Sequence, residues 1–255
     1  MEANKSLEVL FAPAEFGMLG HRDLSQTVCV VFDILRATST MTTALGNGAT
    51  AIIPVAEIGE ALAIRAERPG VLLAGERLGL RIRASQTGGA DFDLGNSPRE
   101  FTPEKVANKT IVMTTTNGTR ALQGCAGAQQ VLTGAFLNLE AVHRWIEAAQ
   151  PRHLLLVCAG TADQVAYEDA VAAGALCELV WPSYGTELVA DSAAIARELF
   201  RARQRDLLGA LQHSRNGRRL LAIPELRDDV RFCAQRDTHD FAAGLKPDGT
   251  VTALP

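Results

Sequence analysis

The sequence predicts an α/β fold, a layered α/β/α arrangement around a mainly parallel sheet with a helical C-terminal portion. Two observations lead to this prediction. Short apolar runs of strand length alternate with segments of helical periodicity through most of the chain. The apolar runs contain few polar residues, which is typical of parallel strands that are buried on both faces. Strands that alternate with helices form βαβ units and therefore a parallel sheet.

The first part of the chain carries the alternating pattern. Strands are predicted at residues 7–11, 27–32, 51–55, 71–74, 110–114, 130–133 and 153–158. Helices are predicted at residues 38–45, 58–68, 119–123, 139–149 and 167–180. Between them, residues 75–98 are rich in glycine and weakly periodic. Such a segment is typical of a long loop, and long loops in compact domains often carry function.

The second part of the chain has a helical pattern at residues 187–221. Its arginine-rich stretches, residues 197–205 and 215–219, are interpreted as solvated helix faces. Residues 246–249 (KPDG) predict a turn. We expect a single α/β domain over residues 1–255, with the alternative of two lobes divided in the region 180–190.

Composition excludes several classes of protein. The chain is 47% hydrophobic and 21% charged, which is ordinary for a globular protein. Its net charge of −4 and the absence of a basic run argue against a nucleic-acid partner. No apolar stretch is long enough for a membrane span, and the N-terminus lacks the pattern of a signal peptide. The five scattered cysteines predict reduced thiols and a cytoplasmic location. A homo-oligomeric assembly is an open alternative to a monomer.

Asp33 directly follows the apolar run 27–32 and begins the segment DILRATST. An acid, the guanidinium of Arg36 and the hydroxyls of Thr38 and Ser39 therefore meet where a strand passes into a helix. Open α/β sheets bind ligands at such carboxyl ends of strands. A carboxylate there could hold a metal ion, and Arg36 with the helix N-terminus could hold an anion. The alternative for Asp33 is a helix cap.

Three further strands are followed by polar residues. Glu76 and Arg77 follow residues 71–74, a threonine-rich turn follows residues 110–113, and Gly160 follows residues 153–158. The turn resembles a phosphate cradle, formed by Thr116, Asn117, Gly118, Thr119 and Arg120. Its alternative is a structural turn in which Thr119 is an N-cap. If the sheet is parallel, the four strand ends should converge on one edge, with Asp33 and Asn117 in a shared site.

Four carboxylates at or near these strand ends suggest a magnesium ion, which prefers oxygen ligands. They are Asp33, Glu76, Glu168 and Asp169. The last two are neighbours that begin a helical pattern, so at least one of them could simply favour the helix dipole. Cys158 also lies at a strand end, but a buried free cysteine is usually inert.

Taken together and in this order, the motifs resemble the 2-phosphosulfolactate phosphatase family. They are residues 33–40 (DILRATST), 74–77 (AGER), 92–98 (FDLGNSP), 115–122 (TTNGTRAL) and 158–160 (CAG), followed by Glu168 and Asp169. The resemblance implies an α/β fold and a Mg²⁺-dependent phosphatase that converts 2-phospho-3-sulfolactate to sulfolactate and phosphate, a step toward coenzyme M. It also implies a substrate role for Asn96. The chain departs from the family pattern in a longer loop at residues 83–91, which would alter substrate preference if it touches the sulfonate.

We therefore expect a phosphomonoesterase for a small anionic phospho-hydroxy acid. The expected catalytic residues are Asp33, Arg36, Glu76 and Arg120. The expected substrate-binding residues are Thr38, Ser39, Arg77, Asn96, Thr116, Asn117, Gly118, Thr119 and Gly160. Asp33 could be a metal ligand or a nucleophile that forms an aspartyl-phosphate. The alternatives are a non-catalytic phospho-metabolite-binding protein and an α/β enzyme of unrelated chemistry.

Overall fold

One sheet organises the part of the chain that the computed structural model describes, residues 5–184 and 188–254. Its strands are β1 (Ser6–Leu10), β2 (Thr27–Phe32), β3 (Ala51–Pro54), β4 (Leu72–Arg77), β5 (Leu80–Arg81), β6 (Thr110–Thr114), β7 (Gln130–Gly134), β8 (His153–Cys158), β9 (Ala243–Leu245) and β10 (Val251–Ala253). Their spatial order is β1-β8-β2-β7-β9-β10-β3-β6-β4-β5. The α/β prediction is confirmed.

The sheet contains two parallel sections joined by an antiparallel hairpin. One section is β1-β8-β2-β7 and the other is β3-β6-β4. Between them, β9 pairs antiparallel with β7, and β10 pairs antiparallel with both β9 and β3. The two parallel sections therefore have opposite senses along the sheet. The five steps from β2 to β6 turn the strand direction by about 100° or more at the usual twist of roughly 20–25° per strand.

Helices cover both faces of the sheet. The α-helices are α1 (Ala37–Gly46), α2 (Ile58–Glu67), α3 (Ala84–Thr87), α4 (Pro103–Val106), α5 (Gly118–Gly124), α6 (Leu139–Ala149), α7 (Tyr167–Tyr184), α8 (Asp191–Arg203), α9 (Leu207–His213), α10 (Arg215–Leu221) and α11 (Arg227–Cys233). Short 3₁₀ helices lie at Pro13–His21, Pro98–Glu100 and Phe136–Asn138.

Strand β2 shows how the sequence sets this layering, because all six of its residues are buried. Its side chains alternate between two cores, as the pleat requires. Val28, Val30 and Phe32 join the core formed with α6, α7 and α8, whereas Cys29 and Val31 join the core formed with α1 and α5. A smaller third core packs α2 against β4 and β6. Asp33, the first polar residue after β2, is thereby brought to the end of a strand that is covered on both faces.

All seven predicted strands and all five predicted helices are present, with ends that differ by a few residues. The two-residue β5 and the hairpin β9–β10 were missed, although the turn at residues 246–249 is present between β9 and β10. The segment at residues 75–98 is only partly a loop, because it includes the end of β4, β5 and α3. The helical C-terminal portion consists of α8 to α11.

The division into one domain or two lobes stays a prediction. Residues 185–187, within the predicted boundary region 180–190, lie outside the described residues. Among the helices that the structure describes, none is long and apolar enough to cross a membrane. All five cysteines are buried as free thiols.

The contact between α7 and α8 depends on the absence of a side chain at Gly174. A Cβ atom there would lie 1.9 Å from the carbonyl oxygen of Ala196, which is too close for the backbones to remain in place. Gly59 in α2 offers a matched control, because a Cβ atom there would meet nothing within 4 Å.

We predict that Gly174→Ala lowers the free energy of unfolding by about 1–3 kcal/mol through overpacking. Gly59→Ala should cause no loss, because alanine favours a helix by about 1 kcal/mol over glycine. Denaturant unfolding of both variants measures this difference. Equal stability of Gly174→Ala and the wild type would show that α7 and α8 do not pack this closely.

Candidate functional site

A cavity of about 170 Å³ lies where the ends of four strands approach one another. Its wall includes residues in or just after the ends of β2, β4, β6 and β8, namely Asp33, Glu76, Thr115, Thr116, Asn117 and Gly160. Asp33 and Asn117 thus share one site, although their strands belong to sections of opposite sense. Pockets for drug-sized ligands are usually about 300–1,000 Å³, so this cavity suits a small metabolite.

The Asp33 carboxylate lines the cavity and, in the described part of the chain, has one oxygen without a hydrogen bond. Its Oδ1 accepts a hydrogen bond from the Ala37 amide at 3.1 Å, and the Thr38 hydroxyl accepts one from the Asp33 amide at 3.0 Å. Among the described residues, no donor binds Oδ2. Burial raises the pKa of Asp33 to about 7, and the charges of Glu76 and Glu168 act in the same direction. The Ala37 amide and Arg36 oppose this shift.

Glu76 organises the turn beside Asp33. Its Oε1 accepts hydrogen bonds from the amide and the hydroxyl of Thr116, both at 2.9 Å. Its Oε2 accepts one from the Gly79 amide at 2.6 Å. The carboxylate therefore joins the threonine-rich turn to the β4–β5 hairpin while its negative charge remains at the cavity wall.

Glu168 and Asp169 begin α7 behind the cavity and have different contacts. Both oxygens of Asp169 accept backbone amides, from Ile34 at 2.8 Å and from Gly160 at 3.1 Å, so Asp169 ties the end of β2 to the end of β8. Glu168 accepts one hydrogen bond from Asn216 at 2.6 Å, and its Oε2 is buried without a partner in the described structure. Burial raises the pKa of both carboxyl groups.

Arg36 differs from the prediction of a free anion-binding group. Its guanidinium is 3% exposed and forms a 2.7 Å ion pair with Asp229 of α11. A second nitrogen donates to the Gly79 carbonyl at 2.7 Å. Asp229 is also bound by the Ser97 hydroxyl at 2.6 Å. Arg36 lines the cavity, but its charge is already neutralised, so it joins the β2–α1 loop to α11 and the hairpin.

Three hydroxyls predicted to bind substrate point into the protein. Thr38, Ser39 and Thr119 are buried and donate to the backbone carbonyls of Asp33, Ile34 and Thr115, respectively. These bonds fix the first turns of α1 and α5, so the hydroxyls stabilise the loops around the site. None of the three lies on the cavity wall.

Arg77, Gly118 and Arg120 also lie off the cavity wall. The Arg77 guanidinium donates to the Ala56 carbonyl and the Thr114 hydroxyl. The Arg120 side chain is 56% exposed and lies 3.6 Å from Asp163. Gly118 has a steric role instead, because a Cβ atom there would lie 2.8 Å from Asp33 Oδ2.

Two buried polar groups on the wall have no hydrogen-bond partner in the described part of the chain. They are the Thr115 hydroxyl and the Asn96 carboxamide oxygen. Buried polar atoms are nearly always paired. Because both of these belong to residues that line the cavity, they are candidate contacts for a ligand or water there. The family resemblance pointed to Asn96. Thr115 was missed, although it belongs to the motif at residues 115–122 and directly precedes Thr116 of the predicted cradle.

Helix α10 contributes residues that the sequence did not point to. Asn216, Arg219 and Leu220 line the cavity. Arg219 is exposed, as the interpretation of residues 215–219 as a solvated face predicts, and it also lines the cavity. No local signal distinguishes it from its exposed neighbours, because only the fold brings α10 to the site.

The longer loop at residues 83–91 does not reach this cavity. Asp91 binds the Arg83 guanidinium at 2.8 Å and the Ala84 amide at 2.7 Å, which closes the loop on itself around α3. Arg83 instead lines a neighbouring cavity of about 460 Å³.

The four predicted metal ligands do not form a complete cage. Within residues 5–184 and 188–254, no group of three or more His, Cys, Asp or Glu side chains is arranged to hold a metal ion. Magnesium usually needs only one or two carboxylates, with waters and substrate oxygens as its other ligands. Asp33 lines the cavity, whereas Glu168 is buried behind it and close enough for its charge to act on Asp33. The Asp33 Oδ2, which accepts no hydrogen bond from the described residues, and the unpaired Oε2 of Glu168 fit such a partial set.

We predict that Asp229→Ala lowers the free energy of unfolding by about 3–5 kcal/mol, because it leaves Arg36 buried without a counter-charge. Asp228→Ala is the control. Asp228 is 68% exposed and lies 3.6 Å from Arg99, so its loss should cost at most about 1 kcal/mol. Equal losses of unfolding free energy in the two variants, measured by denaturant unfolding, would contradict the assigned role of the Arg36–Asp229 pair.

Comparison with known proteins places this architecture in a family. A family model described as 2-phosphosulpholactate phosphatase matches residues 18–247. Three relatives are described as probable 2-phosphosulfolactate phosphatases. The chain is 38% identical to the one from Caldanaerobacter subterraneus subsp. tengcongensis over 234 residues, which cover 91% of this chain and 92% of the relative. It is 36% identical to the one from Pseudothermotoga lettingae over 250 residues, covering 98% and 100%. It is 39% identical to the one from Symbiobacterium thermophilum over 236 residues, covering 91% and 92%. The chain therefore belongs to the 2-phosphosulfolactate phosphatase family of phosphoric monoester hydrolases.

Proposed function

We propose that this protein hydrolyses 2-phospho-3-sulfolactate, or a similar small anionic phospho-hydroxy acid, to the hydroxy acid and phosphate, with Mg²⁺ as its cofactor. The observation that carries this proposal is the free Oδ2 of Asp33, held at a small cavity whose wall also has unpaired polar groups. Family membership supports the reaction class. The size of the cavity supports a metabolite rather than a macromolecule.

The Mg²⁺ proposal rests on charge. Asp33, Glu76 and Glu168 bring negative charge to one place, and the nearest buried cation, Arg36, is already paired with Asp229. Asp33 and Glu168 would hold the ion through their free oxygens, with Glu76 acting directly or through water. When bound, Mg²⁺ would neutralise phosphoryl oxygens and help to activate water. Asp169 is assigned a structural role, because both of its oxygens already accept amides.

The chain's own groups would bind and orient the phosphoryl group. Thr115 and Asn117 offer a hydroxyl and a carboxamide at the cavity wall, and Glu76 fixes the turn that carries them. Asn96 offers a second carboxamide. These neutral donors favour phosphoryl oxygens without adding charge, and the position of Thr115 directly after β6 keeps its hydroxyl in place.

Asp33 has two chemical roles that remain open. As a nucleophile, its Oδ2 would form a bond to phosphorus while the bond to the substrate oxygen breaks, and water would then release phosphate from the aspartyl-phosphate. As a metal ligand, it would only position the ion for attack by water. Trapping a phosphorylated Asp33 in a rapid-quench experiment would support the first role, and its absence during turnover would support the second.

We predict that the purified protein releases phosphate from 2-phospho-3-sulfolactate and that chelation abolishes this release. Added Mg²⁺ should restore it. The measurement is phosphate release over a panel of phospho-hydroxy acids, before and after treatment with EDTA. Binding of these compounds without turnover would favour the non-catalytic alternative. Full activity after exhaustive chelation would remove the metal from the mechanism.

We also predict that Asp33→Asn lowers kcat by about 100- to 1000-fold, because it removes a charge that acts on the reacting group. The control is Asp23→Asn, since Asp23 precedes β2 at the opposite end of the same strand. This control should retain its kcat. Near-wild-type kinetics in correctly folded Asp33→Asn would exclude Asp33 from the mechanism.

A further inference from the structure

Helix α10 forms a part of the cavity wall that differs from the strand-end loops. Arg219 and Leu220 lie three and four residues after Asn216, so each shares a helix face with it, and all three residues line the cavity. Arg218 does not line it and donates to the His213 carbonyl. The helix therefore presents one of two adjacent arginines to the site.

Two arginines lie on this wall, and Arg219 is more available to a ligand than Arg36. Arg36 is buried and neutralised by Asp229. Arg219 is exposed, and it donates one hydrogen bond to the Leu78 carbonyl. No ion pair of Arg219 occurs within residues 5–184 and 188–254. A guanidinium carries five N–H groups, so several remain for a ligand.

The position of Arg219 is set by contacts on both sides of the cavity. Asn216 donates to Glu168 at 2.6 Å and to the Thr161 hydroxyl at 2.8 Å, which attaches α10 to the loop after β8. Arg219 contacts Leu78 in the β4–β5 hairpin. Leu220 packs into the core. A cation on such an anchored helix loses little conformational freedom when it binds an anion, so less of the interaction energy is lost on binding.

The charge of the expected substrate requires such a cation. The strand-end part of the wall carries the carboxylates of Asp33 and Glu76, which repel any acid group that is not balanced by a cation. A phospho-hydroxy acid has at least one acid group besides its phosphate. That group needs a positive partner away from the carboxylates, and an arginine fork suits carboxylate oxygens and other anionic oxygens.

We propose that Arg219 binds the non-phosphoryl acid group of the substrate and so determines that this enzyme acts on phospho-acids rather than on neutral phosphate esters. This proposal rests on the proposed phosphatase function and adds a residue that recognises the second acid group of the substrate. The group bound is an anionic oxygen cluster, which a sulfonate or a carboxylate would supply.

The test compares kcat/KM for three phosphate esters in wild type, Arg219→Gln and Arg219→Lys. 2-Phospho-3-sulfolactate carries both acid groups, 2-phospholactate carries the carboxylate alone, and isopropyl phosphate carries neither. Arg219→Gln should lose about 10- to 100-fold on substrates with the acid that Arg219 binds, as expected for one charge-assisted hydrogen-bonded contact. On isopropyl phosphate its loss should be less than about threefold. Arg219→Lys should recover part of the loss, because it keeps the charge without the fork.

The pattern over the three esters identifies the acid. A loss on 2-phospho-3-sulfolactate alone assigns the sulfonate, and a similar loss on 2-phospholactate assigns the carboxylate. Arg218→Gln is the matched control and should match the wild type on all three esters. An equal loss of Arg219→Gln on all three, or no loss on any, would overturn the proposal.

Calorimetric binding of sulfolactate separates this proposal from the phosphatase function itself. Arg219→Gln should weaken sulfolactate binding by about the same 10- to 100-fold, while Arg218→Gln should not. If the wild type releases no phosphate from any ester, the phosphatase function fails, yet this binding difference would still support Arg219 as the acid-binding residue. Equal sulfolactate affinity of wild type and Arg219→Gln would overturn it.

Discussion

Desolvation of a carboxylate at the end of β2 is the constraint on which the site depends. Asp33 follows a strand buried on both faces, and α1 begins four residues later at Ala37, so water has little access to the Asp33 side chain. Only one of its oxygens, Oδ1, accepts a hydrogen bond from the described part of the chain, donated by the Ala37 amide, to offset the lost hydration. Glu76 and Glu168 add negative charge nearby, and the pKa of Asp33 consequently rises to about 7. A folded chain that holds a carboxylate in this way gives up stability near neutral pH, which is typical of functional positions.

The segments around Asp33 come from distant parts of the chain and are held by buried polar contacts. Arg36 joins the β2–α1 loop to Asp229 of α11, and Ser97 binds the same carboxylate. Asp169 ties the ends of β2 and β8 together through two amides. Residues that resemble ligand-binding groups in sequence thus act as structural links, and they hold in place the part of the cavity wall that carries Asp33, Glu76, Thr115 and Asn117.

Much of the fold was predictable because its signals are local. Buried runs such as β2 can be recognised from six consecutive apolar residues, whereas β5, β9 and β10 have only two or three residues and exist through their pairing partners. The family was also predicted and is confirmed, since its motifs are short and follow one another along the chain. The convergence of Asp33, Glu76, Thr116 and Gly160 was predicted for one parallel sheet. In the structure these residues line one cavity although β2 and β8 belong to one parallel section and β4 and β6 to another of opposite sense. The contacts of the individual arginines could not be predicted from local sequence, because the partner of Arg36 lies 193 residues away and Arg219 reaches the cavity only through α10.

The most direct test of this account is the free energy of unfolding of wild type and Asp33→Asn between pH 4 and 8, without divalent cations. Near pH 4, Asp33 is protonated in the folded protein and about half protonated in the unfolded one. The pH-dependent loss of wild-type stability is therefore still small, and the two proteins should be nearly equally stable. As the pH rises, the unfolded chain releases this proton first, and the folded wild type loses stability relative to Asp33→Asn until the pKa of about 7 is passed. Asp33→Asn should then be more stable by about 2–4 kcal/mol, and Mg²⁺ should narrow the gap by stabilising the wild type. A difference that does not change with pH, or a wild type that gains stability over Asp33→Asn toward pH 8, would contradict the central claim that Asp33 is held as a desolvated carboxylate.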